Sequence, residues 1–103
     1  MIFRSRVVKD YILNGANYVA TVRKATYKEG QWISIDLGST RLRGKVVKVV
    51  PIDDARKYVH ISGFKSVEEW LAEARRLHRV DNLEGFVIVV VKIERKSNQA
   101  RQT

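Results

Sequence analysis

The run "EGFVIVVVKIERK", residues 84 to 96, constrains this chain more than any other stretch. Its β-branched residues are apolar at successive positions up to Val91. They leave no polar face, so the segment reads as a central strand covered on both sides. Such a strand needs a packing layer above it and another below. The rest of the chain must supply them.

Two helical patterns are available for that purpose. In "SRVVKDYILN", residues 5 to 14, Val7, Val8, Tyr11 and Ile12 recur at helical spacing, and Gly15 stands where a helix C-terminal glycine belongs. In "SVEEWLAEARRLH", Ser66 and Glu69 fit a capping box, and Val67, Trp70, Leu71, Ala74 and Leu77 form one apolar stripe. The acidic residues of that helix lie toward its start and the basic ones toward its end, as the macrodipole prefers. Strands are expected over Val19 to Arg23, around Trp32, Ile33 and Ile35, and over residues 41 to 50. Turns at Glu29-Gly30 and Gly38-Ser39 separate them. Ile2-Phe3 reads as an edge strand, and the segment Asp53 to Tyr58 as a single helical turn. The expected class is α+β: a small β-barrel of about five to six strands flanked by two to three helices. Residues 1–96 form the domain, and the polar residues 97–103 a frayed tail.

The chain carries 20 Lys and Arg against 11 Asp and Glu, for a net charge of +9 and a pI near 10.2. Residues 1 to 50 hold ten cations and three anions, so most of the excess lies in the first half. That field attracts phosphate backbones. No apolar run approaches the roughly 20 residues of a membrane span, and the opening residues lack a signal-peptide core, so a cytoplasmic, membrane-free setting is expected. Without cysteine there are no disulfides, thiolate ligands or cysteine nucleophiles, and His60 and His78 alone do not make a metal site. No cofactor is expected. One Met, no Cys and abundant Lys, Arg, Val and Ile suit a thermophile's protein.

Standard catalytic motifs are absent. Asp53-Asp54 and Glu68-Glu69 point their members in different directions, and the second pair already belongs to a helix start. Binding residues are easier to find. Arg41, Arg43 and Lys45 alternate with Leu42, Gly44 and Val46, which projects three cations from one side of a strand. They mark a phosphate track or, as the structural alternative, a charge-blunted sheet edge. Tyr18, Tyr27, Trp32 and Tyr58 lie near turns beside lysines, where they stack on unpaired bases or plug the ends of a barrel.

The order "YILNGANYVATVRK", "YKEGQWISI", "GKVVKVV", "SGFKSVEEWLAE", "GFVIVVVKI" resembles the ASCH family, the activating signal cointegrator homology domains of the PUA-like superfamily. The resemblance spans about residues 3 to 94. It implies a small barrel with a cleft between barrel and helices, and RNA binding. Gly15, Thr21 and Arg23 match one family motif, and Gly63-Phe64, Ser66 and Glu68-Glu69 match another. Some bacterial relatives of that kind are amidohydrolases that deacetylate N4-acetylcytidine, using a motif lysine and threonine, the latter matched by Thr21, plus a glutamate. Here the lysine position falls at Asn17 or Tyr18 and the glutamate position at Ser62. Thr21 is the one weak catalytic candidate, and it lacks an activating base unless Lys24 or Lys65 substitutes.

The leading expectation is an ASCH domain binding RNA or single-stranded nucleic acid rather than duplex DNA. Arg23 is the anion anchor, with Arg4, Asn17, Tyr18, Thr21, Lys24, Trp32, Arg41, Arg43, Ser62 and Lys65 around it. A modified-nucleoside amidohydrolase and an interaction module for an acidic protein partner are the two alternatives.

Overall fold

A computed structural model describes residues 1–95. The elements in chain order are α1 (Arg6–Leu13), β1 (Tyr18–Lys24), β2 (Trp32–Asp36), β3 (Arg41–Pro51), α2 (Ala55–Tyr58), α3 (Val67–His78) and β4 (Phe86–Glu94). Short 3₁₀ turns flank α2. The strands form one antiparallel sheet in the order β1-β4-β3-β2. β4 is therefore interior, as its two-sided apolar run requires.

Each long helix starts and stops where its local chemistry dictates. Ser5, in extended conformation, caps α1 by accepting from the Val8 N–H, and Gly15 leaves the helix at a φ of +107° that disfavours side chains. Ser66 caps α3 through the Glu69 N–H at 3.1 Å. At the other end Arg79 turns left-handed (φ 58°), and the Arg79 and Val80 N–H groups close the last carbonyls. A non-glycine residue there costs about 1–2 kcal/mol, which the closing hydrogen bonds offset.

The sheet has a packing layer on each face. On the inner face Val19, Ile35, Val46, Val89, Val91 and Ile93 meet Val8 and Ile12 of α1, with Phe3 and Leu37. On the outer face Ala20, Val22, Ile88 and Val90 meet Trp70 and Ala74 of α3 and Ala55 of α2. Gly44 lies under the inner layer. A Cβ there would stand 2.6 Å from Val91 Cγ1 and 2.7 Å from Ile35 Cδ1, so only glycine admits these side chains. A register shift between Val46 and Lys48 bends β3 and increases its twist.

Among the described residues four strands form, where about five to six are expected. Ile2-Phe3 is not an edge strand but an isolated parallel bridge on Asp36, held by Phe3 N–H to Asp36 O (3.0 Å) and Asp36 N–H to Met1 O (2.8 Å). The boundary at residue 96 and the tail 97–103 lie outside the described residues.

Candidate functional site

The expected binding residues divide into two groups that the fold holds apart. The first occupies the part of the outer sheet face that α3 leaves bare. Trp32 is paired with Lys45, Lys45 with Lys92, and Lys92 with Tyr18, so four residues line up across four strands. Side chains opposite one another in a ladder share a face. Two aromatics thus flank two lysines, with about 14 Å, three strand spacings, between the outer backbones. Trp32 is 45% exposed and Tyr18 41%.

Arg43, two residues from Lys45 on the same side, extends this row. Its guanidinium lies 4.2 Å from the centre of the Trp32 ring, and Lys45 Nζ lies 5.3 Å from it. Cations over an indole face are attracted by its quadrupole. Arg41 is exposed and 3.8 Å from Asp36, a solvent-screened pair of little energetic weight. β3 is paired on both sides, by β2 and β4. Its three cations therefore do not guard a sheet edge, which disposes of the structural alternative for them.

The second group lines a pocket of about 420 Å³ beside the free edge of β1. The opening segment Met1–Ser5 forms one wall and α3 another, through Trp70, Ala74 and Leu77; Phe64 also lines it. Thr21, Arg23 and Arg4 of the expected set line this pocket, as does Tyr27. Arg23 is held firmly. Its Nε donates to Thr21 Oγ1 at 3.2 Å, its Nη2 donates to Ile2 O at 2.8 Å, and its guanidinium lies 4.8 Å from the centre of the Phe3 ring. Burial pushes the Arg23 guanidinium below the usual arginine range, the Tyr27 phenol opposes that push, and the nearby Arg4 cation adds to it. It stays protonated regardless. Burial and Arg23 likewise lower the Met1 ammonium, which donates to Ser34 O at 2.8 Å.

Thr21 is buried, and its hydroxyl accepts from Arg23. Among the described residues no lysine, carboxylate or imidazole is hydrogen-bonded to it. Lys24 and Lys65 are exposed, and neither lines the pocket. Asn17 is exposed, with its carbonyl accepting from the Ile93 N–H. Ser62 is completely buried. Its hydroxyl donates to Val59 O at 2.7 Å and accepts from the Phe64 N–H at 3.0 Å, so it braces its own turn.

Sequence reasoning missed three residues. Lys92 completes the cross-strand row, but it follows directly on a run apolar on both sides, and only the register reveals its neighbours. His78, expected to serve the helix dipole, has Nε2 3.1 Å from Val22 O and its ring centre 4.7 Å from that of Phe86. With the proton on Nε2 it satisfies a carbonyl on the free edge of β1. Glu73 also lines the pocket, although Arg76 engages both its carboxylate oxygens at 2.7 and 2.8 Å.

One relative places the chain. It is 46% identical over 98 residues to "Uncharacterized protein 105" of Sulfolobus islandicus rod-shaped virus 1, spanning 90% of this chain and 92% of the viral protein. The chain belongs to that protein's family. No protein-family model matches the chain, and no solved structure does. The protein 105 family thus sets the relationship. Among the described residues no cluster of potential metal ligands occurs, and no helix is long and apolar enough to cross a membrane.

Proposed function

We propose that this protein binds single-stranded nucleic acid, RNA before duplex DNA, on the bare part of its outer sheet face. The row Trp32–Lys45–Lys92–Tyr18 carries the reading. Exposed rings offer stacking surfaces to unpaired bases, and the lysines between them neutralise the phosphates that connect those bases. Arg43 adds a guanidinium beside Trp32, and Arg41 prolongs the basic track. A duplex has no unpaired base to give the rings, so it gains only the charge term. Among the described residues no general base is hydrogen-bonded to Thr21, which speaks against the amidohydrolase alternative.

The PUA-like reading of the fold goes with this proposal. The segment Met1–Phe3 hydrogen-bonds to β2 at Asp36 and receives Arg23 of β1 at Ile2 O, so it bridges the two edge strands of the sheet. A barrel-like closure of that kind is what the ASCH resemblance implies.

Fluorescence anisotropy with labelled 12-nucleotide single strands, run as a salt series, tests the proposal. With about four phosphates neutralised, log K falls against log salt with a slope of roughly −3. The triple variant Trp32→Ala/Lys45→Ala/Lys92→Ala loses most of the affinity while keeping its far-ultraviolet circular dichroism. Wild-type affinity in a folded triple variant, or a flat salt response, overturns the assignment.

A further inference from the structure

Arg23 raises a problem that nucleic-acid binding on the outer face does not address. Its two recorded hydrogen bonds go to neutral oxygens, Thr21 Oγ1 and Ile2 O. Among the described residues no carboxylate pairs with it; the phenol of Tyr27 favours its charge, and the neighbouring Arg4 cation opposes it. Glu73, which also lines the cavity, has both carboxylate oxygens engaged by Arg76. A half-buried guanidinium without a counter-charge is costly unless an anion completes it.

The cavity beside it has the form such an anion requires. It holds about 420 Å³, within the range of small-molecule sites. Arg23, Arg4 and Thr21 supply polar groups, while Phe3, Phe64 and Leu77 supply apolar wall. Arg23 Nη1 makes no hydrogen bond among the described residues and is not among their sealed, unpartnered atoms. It remains available to a ligand, and the two anchored nitrogens fix the plane in which it points.

We infer that the pocket beside β1 is a second site, separate from the nucleic-acid face, that takes a small organic oxyanion. The acid group binds Arg23 Nη1, and the apolar body lies between the Met1–Ser5 segment and α3. Carboxylates and phosphate monoesters share the recognised chemistry. This site stands or falls independently of the proposed nucleic-acid function, because none of the row residues Trp32, Lys45, Lys92 and Tyr18 lines it.

Isothermal titration calorimetry distinguishes the sources with four probes: phenylacetate, phenyl phosphate, inorganic phosphate and the neutral benzyl alcohol. One of the two aromatic anions binds saturably and more tightly than inorganic phosphate, benzyl alcohol does not bind, and the tighter anion identifies the acid class. Arg23→Gln weakens that binding roughly 10- to 100-fold, as loss of a charge-assisted hydrogen bond should. Because this change also removes the bond to Ile2 O, Leu77→Trp is the companion variant: it keeps Arg23 and fills the cavity, with a similar loss. The row variant Trp32→Ala/Lys45→Ala/Lys92→Ala binds the anion as wild type does. No saturable binding of either aromatic anion, equal binding of benzyl alcohol, or undiminished binding in folded Leu77→Trp overturns the inference.

Discussion

The same three strands run under α3 and out from beneath it, and their residues change character where the helix stops covering them. Under the helix the outer face is built from Ala20, Val22, Ile88 and Val90, all buried. One step further along β1 and β4 the same face carries Tyr18 and Lys92, and β3 contributes Lys45. Small and β-branched side chains let a helix approach a sheet. Long cations and half-exposed rings hold it off, because lysine termini demand water and cannot be buried without a partner. That contrast is the ground on which the proposed binding face is placed there.

The largest test of the contrast is Trp70→Ala. Emptying the site of a 3% exposed indole should cost about 3–5 kcal/mol in urea unfolding, yet leave nucleic-acid affinity unchanged while the protein is folded. Trp32→Ala is its mirror image. Stability should move by no more than about 0.5 kcal/mol, whereas single-strand affinity should fall by about 1–3 kcal/mol in anisotropy titrations. Equal effects of the two substitutions on stability would break the division between covered and bare surface. Lys92→Val extends the apolar chemistry of Val90 into the bare region. The salt slope should become shallower by about 0.7, with little change in unfolding midpoint.

The smallest effect is expected at the α3 ion pair. The hydrogen bond from Arg76 holds the Glu73 carboxyl below its ordinary range, against a smaller opposing push from burial. A carboxyl whose folded value is depressed contributes stability that is present above its unfolded value and disappears as pH falls through the folded one. Wild type should therefore lose a little stability as the medium is acidified below the ordinary glutamate range. Glu73→Gln should lack that component in a pH series of thermal unfolding, and single-strand affinity on the outer sheet face should not change with it.

Local features were readable in the chain because local interactions decide them. Ser5, Gly15 and Ser66 marked helix ends, the Trp70 and Ala74 stripe marked a packing face, and the alternation through Arg41, Arg43 and Lys45 marked a strand side. Register was not readable. Tyr18 and Trp32 are on different strands with two others between them, and only pairing through β4 and β3 sets them in one row. Arg23 was visible as a cation ending a strand, but its acceptor at Ile2 comes from a segment 21 positions earlier. Expecting Arg23 and Arg43 in one cleft assumed that residues of like charge converge. The sheet instead turns Arg43 outward and leaves Arg23 beside the opening segment.

The position of β4 also governs the order in which the protein acquires structure. β1 and β3 both pair with β4, and no pairing joins them to each other. On a ribosome, the β2–β3 hairpin and both long helices emerge before either strand meets its shared neighbour. β1 must wait through some sixty further residues. Contacts this distant along the chain carry a loop-closure cost that slows folding. Until Phe86–Glu94 arrives, the nascent chain exposes two unpaired strand edges and the apolar surfaces meant for them, the state in which a chaperone would be needed. A version truncated before Phe86 should stay in that state.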